Sequence, residues 1–147
     1  VLDSPEVRRS LHLPDNLDRS DAWQQMAWFL GQWVLRGTGH WALEDRTTGV
    51  FLGRAGLHRP EREDWPGVEV GWVLHPDYWG RGYATEAGAE AIRYAFDELD
   101  LERIYSCILP ENVQSQAVAR RLGMELLEKR TMAFFPSAPH GIWSRAR

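Results

Sequence analysis

The sequence predicts a mixed α/β fold in which a sheet of about six strands, partly antiparallel, is flanked by about four helices. The chain has 147 residues, a length typical of one domain. A pair of strand-like segments follows residue 40, and strand-like and helix-like segments alternate after it. No internal repeat or long flexible linker divides the chain. We therefore expect a single domain over residues 1–147.

The first two predicted helices are marked by capping residues. Ser4 followed by Pro5 is an N-cap with proline in the first turn, and it begins a short helix that ends near Pro14. Ser20 or Asp21 is the predicted cap of a second helix over about residues 21–36. The apolar residues of this helix are numerous enough to contact both the core and a second surface. They are Trp23, Ala27, Leu30 and Val34 on one face, widened by Met26, Phe29 and Trp33.

A hairpin and a third strand are predicted next. Residues 41–44 and 50–57 are joined by a turn that ends in Gly49, and a polar loop precedes the strand over 68–74. The second half alternates between the two types of element. Small residues on one side of a helix over about 83–99 allow close packing against a sheet.

The remaining elements complete the predicted sheet. A strand over 103–109 is followed by a helix that Asn112 caps and that ends at Leu122, with Gly123 as its C-cap. Two closing strands are predicted over 124–135 and 140–145.

Composition excludes several classes of function. A net charge of −4 argues against binding to nucleic-acid backbones, although it suits a cationic substrate. The apolar stretches are far shorter than the ~20 residues of a membrane span, and residues 1–6 lack the layout of a signal peptide. Cys107 is the single cysteine, so no intrachain disulfide is possible. We therefore expect a cytoplasmic protein without a nucleic-acid or membrane partner.

The segment from Glu69 to Thr85 is the richest in chemistry. It contains the end of a strand, a glycine-rich turn over 80–82 and the start of a helix. Glycine permits a tight turn, and the unpaired N–H groups at a helix N-terminus bind phosphate. Arg81 adds a guanidinium that can pair with an anion. The residues alone leave two interpretations open, a pyrophosphate-binding turn and an ordinary tight turn.

Other signals carry less weight. The pattern G-x-G-x-x-A over 37–42 follows a helix and opens a strand, the reverse of a dinucleotide fingerprint. The histidines lack metal-ligand spacing, so no metal site is expected. His75 is interpreted as a loop cap, and Cys107 as a small buried residue rather than a nucleophile.

Three motifs resemble the GNAT superfamily of N-acetyltransferases, in particular the branch that acetylates ribosomal-protein alanine and serine N-termini. Residues 79–84 are similar to the acetyl-CoA signature Gln/Arg-x-x-Gly-x-Gly/Ala, with Trp79 in place of Gln or Arg. Residues 110–115 with 122–124 match a second motif, and residues 3–7 resemble the end of the first helical region. The likeness covers nearly the whole chain in order.

The resemblance implies a set of residues that bind acetyl-CoA. The backbone of the third strand would pair with the pantetheine arm, and one of its N–H groups would polarise the thioester carbonyl. The amides of the glycine-rich turn would hold the pyrophosphate, and Asn112 would bond the pantetheine or a water near it. The implied residues are Trp72, Val73, Leu74, Gly80, Arg81, Gly82, Tyr83, Ala84, Thr85 and Asn112.

Two residues are candidates for catalysis. Glu69 is the candidate general base, directly or through water, and its alternative role is a cross-strand pair on the sheet surface. Ala119 occupies the position where many family members have a tyrosine acid, so that route is closed. Ser115 is the alternative proton donor that the resemblance implies. It can also serve as a first-turn serine that satisfies backbone N–H groups.

The resemblance implies direct attack of an amine on acetyl-CoA, while a non-catalytic acyl-CoA-binding module remains the alternative. The acceptor can be a protein N-terminus or a small amine. The tryptophan-rich second helix is expected to line the acceptor cleft, with Trp33 setting its preference, or to form a homodimer contact. Chains of this branch begin with a further strand, so the domain is expected to be N-terminally incomplete. Six strands would then stand where the family has seven, with a partner chain or a further segment covering the open edge.

Overall fold

A computed structural model describes residues 1–133 and 135–147 and confirms the mixed α/β class. Within these residues there are six strands, four α-helices and a short 3-10 helix, Pro76–Tyr78. The helices are α1 (Pro5–Leu11), α2 (Arg19–Arg36), α3 (Tyr83–Asp97) and α4 (Val113–Arg121). The strands are β1 (His40–Glu44), β2 (Phe51–His58), β3 (Glu69–Leu74), β4 (Arg103–Ile108), β5 (Glu125–Met132) and β6 (Phe135–Ala146).

The six strands form one sheet in the order β1-β2-β3-β4-β6-β5. Neighbouring strands are antiparallel except β3 and β4, which are parallel. Over the described residues this parallel pair shares a single register position, Glu69 opposite Tyr105. Beyond it the two strands share no ladder, and a cleft opens beside the remainder of β3.

Helix α3 covers one face of the sheet closely, as its small residues predict. Gly88, Ala91 and Ala95 are buried against the core, which includes Leu57 and Ile104. A Cβ atom at Gly88 would lie 2.8 Å from a methyl group of Leu122. The small side chains therefore let α3 and α4 pack together over the sheet.

Helix α2 buries a different face from the one that its apolar pattern predicts. The apolar residues of the predicted face are exposed, and Leu30 retains 65% of its accessible surface. The buried residues are Phe29, whose ring stacks on His40, and Gln32, whose amide oxygen accepts from the Thr38 hydroxyl. Asp18 caps the helix instead of Ser20 or Asp21. The hydrogen bond between Gln32 and Thr38 thus lies on the buried face of α2, and hydrophobic periodicity alone does not predict this face.

The closing hairpin also departs from the predicted boundaries. β6 begins at Phe135 instead of His140, and Phe134 lies outside the described residues. The pairing with β5 is irregular here, because Met132 pairs with Phe135 while Arg130 pairs with His140. Prolines at 136 and 139 lie in this irregular stretch, where the missing N–H costs no ladder hydrogen bond.

The edge strand β5 carries Lys129, the only lysine of the chain, in an exposed position. Among the helices that the structure describes, none has the length and apolar character needed to cross a membrane.

Candidate active site

A first cavity of about 560 Å³ lies in the cleft between β3 and α4 and extends to the N-terminus of α3. It brings together every predicted cofactor-binding residue except Arg81. These are Trp72, Val73, Leu74, Gly80, Gly82, Tyr83, Ala84, Thr85 and Asn112. Two segments more than twenty-five positions apart in sequence thus form one site, because β3 and α4 flank the same opening.

The glycine-rich turn has the backbone that its sequence predicts. Gly80 and Gly82 have φ angles of 74° and 87°, and nothing lies within 4 Å of a Cβ built on either. Gly82 is the N-cap of α3 and offers no side chain to the first N–H groups of the helix, which remain available for an anion. Arg81 is exposed, and its guanidinium lies over the Tyr78 ring, 5.7 Å from the centroid. Its side chain therefore does not line the cavity.

His75 acts as the predicted loop cap. It is the N-cap of the 3-10 helix that precedes the turn, and its Nδ1 atom accepts a hydrogen bond from the Asp77 backbone. This contact helps to hold the chain between β3 and the turn.

A second cavity, of about 500 Å³, lies on the other side of β3. The two cavities share walls at Trp72, Val73, Asn112 and Ser115. A molecule in one can therefore meet a molecule in the other beside the middle of β3. Helix α2 contributes Gln25 and Trp28 to the second cavity, but not Trp33.

Glu69 is buried, with 7% of its surface exposed, and lines the second cavity. Its Oε1 atom accepts a hydrogen bond of 3.1 Å from the Cys107 backbone N–H. Its Oε2 atom is buried without a hydrogen bond and lies 3.4 Å from Nε2 of His58, an ion-pair distance. Glu69 does stand opposite His58 in the β2–β3 register, as a cross-strand pair requires, but in the interior.

Cys107 lines the same cavity as Glu69. Burial, reinforced by the negative charge of Glu69, raises the pKa of its thiol far above the usual range. The sulfur is therefore a neutral thiol, and its nucleophilicity is low.

Two histidines and an arginine continue from Glu69 across the same face of the sheet. Nδ1 of His58 lies 3.2 Å from Nε2 of His40, and Nδ1 of His40 lies 2.6 Å from Nη1 of Arg54. A guanidinium only donates, so His40 accepts at Nδ1 and donates from Nε2. His58 then accepts at Nδ1, and its Nε2 atom faces Glu69. Burial, with Arg54 and His58 adding to it, holds the pKa of His40 well below its usual value.

Ser115 and Asn112 occupy the wall between the two cavities. The Asn112 side chain accepts from the Ser115 backbone N–H at 3.0 Å and donates to the Ser10 carbonyl at 3.1 Å. Asn112 is thus the cap of α4, and the Ser115 hydroxyl is free of that task. The Ser115 Oγ atom accepts a hydrogen bond of 3.3 Å from the Trp72 indole.

Sequence reasoning missed His40, His58 and Arg54 because it considered the histidines only as metal ligands. Among the described residues no group of three or more histidine, cysteine or acidic side chains is arranged to hold a metal ion. One signal in the sequence could have found them: Arg54 and His58 are four positions apart on β2 and therefore lie on the same face of the strand. Pairing β2 with β3 so that His58 meets Glu69 would have brought them to one face.

A partly antiparallel sheet that opens between two parallel strands, with a glycine-rich turn at the end of the opening, defines a class of domains that bind an extended, phosphate-bearing cofactor. Residues 1–125 match the family model described as acetyltransferase (GNAT) domain. The chain belongs to this family.

Relatives and solved structures agree with this assignment. The chain is 35% identical over 88 residues to the uncharacterized protein YkkB of Bacillus subtilis, covering 60% of this chain and 51% of YkkB. It is 28% identical over 122 residues to the uncharacterized N-acetyltransferase p20 of Bacillus licheniformis, covering 82% of this chain and 67% of p20. An acetyltransferase structure from Agrobacterium tumefaciens matches with a TM-score of 0.83 and 28% identity, over 99% of this chain and 81% of that one. The chain thus spans about half the length of the first of these relatives.

Proposed function

We propose that this domain transfers an acetyl group from acetyl-CoA to a primary amine by direct attack on the thioester. The observation that carries the proposal is the buried Glu69 carboxylate, whose residue lines the second cavity and whose Oε2 atom has no hydrogen bond. Beyond the His58 ring at 3.4 Å the atom has no hydrogen-bond partner among the described residues, so it can accept a proton from an amine.

The first cavity fits acetyl-CoA. The backbone of Trp72, Val73 and Leu74 borders the opening beside β4, where an extended pantetheine arm can add as a strand. The uncapped N-terminus of α3 suits a pyrophosphate. When bound, acetyl-CoA supplies an activated acetyl group as a thioester.

Glu69 and Ser115 take opposite roles in proton transfer. Glu69 accepts the proton that the attacking amine loses as its C–N bond forms, directly or through water. Ser115 donates its hydroxyl proton to the sulfur as the C–S bond breaks, and it regains a proton from water, to which Glu69 releases its own. The Trp72 indole already donates to Oγ of Ser115, so the hydroxyl proton is left to point elsewhere. The neutral Cys107 thiol favours direct transfer over an acetyl-cysteine intermediate.

The proposal is tested with Glu69→Gln, measuring thiol release from acetyl-CoA with a panel of amines. We expect turnover to fall about 10²- to 10⁴-fold, because an amide cannot accept the proton. The rise in melting temperature on adding acetyl-CoA should stay unchanged. Full turnover by Glu69→Gln contradicts the role of base. Binding of acetyl-CoA by the wild type without turnover of any amine would instead favour a non-catalytic acyl-CoA-binding module.

The names of solved neighbours leave the amine open. They include a spermidine N-acetyltransferase from Vibrio cholerae, in complex with CoA and spermine, at 14% identity and a TM-score of 0.75. At such identity the likeness concerns the fold alone. The lone cysteine, kept as a thiol, is consistent with a reducing compartment, and we include the cytoplasm in the proposal.

A further inference from the structure

The second cavity contains a half-buried cation without a carboxylate partner among the described residues. Arg54 donates to neutral His40 and lies over the Phe29 ring, 4.8 Å from its centroid. No acidic side chain of the described residues forms an ion pair with it. Burial lowers the pKa of Arg54 to about 10. A half-buried charge in this situation is destabilising unless a counter-ion arrives.

The charge of the cavity as a whole has the same sign. Among the described residues that line it, Glu69 is the only acidic one, whereas the basic and imidazole residues are Arg54, Arg62, His40, His58 and His140. The acidic composition of the chain is therefore not concentrated in this cavity.

Arg54 also stands close to the proposed reaction point. It lies directly opposite Val73 in the β2–β3 register, and Val73 lines both cavities. Side chains of opposed residues on one face of a sheet are about 5 Å apart at Cβ. The guanidinium contacts His40, which also lines the second cavity, so an anionic group held by Arg54 would lie in the same cavity as the acceptor amine.

We propose that Arg54 binds a carboxylate of the acceptor, so that the substrate is a small amino acid in which a primary amine and a carboxylate lie close together. This inference rests on the proposed acetyl transfer. One N–H of the guanidinium donates to His40, and the others can form a fork that matches the two carboxylate oxygens. The ion pair would neutralise the half-buried cation that the free protein carries.

The test compares amino acids with their α-amides, using alanine, glutamate and phenylalanine and measuring thiol release. For at least one pair, the wild type should prefer the acid by about tenfold or more in kcat/KM, because hydrogen bonds to charged groups are the strong ones. Arg54→Gln should lose this preference, because it slows the acid much more than the amide. Arg46→Gln is the matched control, since Arg46 is exposed in the turn of the same hairpin. Equal rates for acids and amides, or a preference that survives in Arg54→Gln, overturn the proposal.

A binding measurement separates this proposal from the proposed function. Without acetyl-CoA, the preferred acid should raise the melting temperature of the wild type and of Arg46→Gln, but not of Arg54→Gln. Arg54→Gln itself should melt no lower than the wild type, because it removes a half-buried charge that has no ion-pair partner among the described residues. If no amine is acetylated, the proposed function fails, and the melting shift still decides the role of Arg54. If none of the acids shifts the melting temperature of the wild type, the proposed role of Arg54 is overturned.

Discussion

At the scale of single residues, the direction of each hydrogen bond, from donor to acceptor, matters as much as its length. Arg54 can only donate, and this fixes the ring nitrogen at which each histidine accepts a hydrogen bond. The consequence reaches Glu69, which faces the other ring nitrogen of His58, Nε2. His40 and His58 are thus positioning residues for the carboxylate rather than groups that exchange protons with the acceptor.

Ser115 gives a prediction at this scale. Ser115→Ala should lower kcat about tenfold or more at pH 7, with an unchanged melting shift on adding acetyl-CoA, because the departing sulfur loses its proton donor. The loss should shrink above about pH 8.5, where a thiol leaves readily as the thiolate. Ser115→Thr retains the hydroxyl and is the matched control. A pH-independent loss shared by both variants would mean that Ser115 only supports the wall between the cavities.

At the scale of elements, the register of β2 creates the site. Arg54 and His58 share a face of this strand, and the intervening Gly56 allows β1 to approach closely. The φ angle of Gly56 is 155°, and a Cβ atom there would lie 2.2 Å from the Gly39 carbonyl oxygen. Neither the strain nor the clash can be relieved without moving β1, which carries His40.

Gly56→Ala should therefore lower the free energy of unfolding by about 1–3 kcal/mol, the usual cost of a strained backbone, and displace His40. Denaturant unfolding measures the first effect, and thiol release measures the second. Gly71→Ala is the matched control on β3, because its Cβ would meet the His40 and His58 rings at an ordinary contact distance of 3.5 Å. Equal stability of the two variants would contradict the argument.

The elements also show how far sequence reasoning reaches. The turn at Gly80 and the packing of α3 were predictable because glycine and small residues have local conformational causes. The buried face of α2 was not, since its apolar residues surround much of the helix and tertiary contacts of Gln32 chose the side. The positive charge of the acceptor-side cavity was also missed, because it depends on strand register, which joins residues from separate segments.

At the scale of the whole molecule, buried neutral histidines link stability to pH. Burial is the largest cause that lowers the pKa of His40, and it is also the largest cause that lowers the pKa of His140. As the pH falls below about 6.5, the unfolded chain binds protons at these positions that the folded protein does not. Stability contributed by the neutral rings is therefore complete above pH 6.5 and is lost as the pH falls towards their folded pKa values.

The resulting prediction concerns unfolding free energies measured between pH 5 and 6.5. They should decrease with acidification in the wild type and decrease less steeply in His40→Gln. The two slopes should differ by at most about 1.4 kcal/mol per pH unit, the value for one proton. Glutamine can still accept the hydrogen bond from Arg54, so the comparison concerns the proton alone. Identical slopes in the two proteins would contradict a neutral His40.

The exposed apolar face of α2 is a surface to which no role has been assigned. It includes Trp23, Met26, Leu30 and Val34, more than scattered surface positions require. The homodimer expected from the sequence stays a prediction, and this face is where it would form.

The solitary Lys129 on β5 has a practical consequence for an acyl-transferring domain. Acetyl-CoA is itself an electrophile, and an ε-amino group is a target for uncatalysed acylation. The sixteen arginines are protonated at neutral pH and do not compete as nucleophiles. These 147 residues therefore offer one ε-amine to self-modification. Intact-mass spectra of the protein recorded during turnover should therefore show few added acetyl groups. Almost all of the transferred acetyl should then be found on the acceptor.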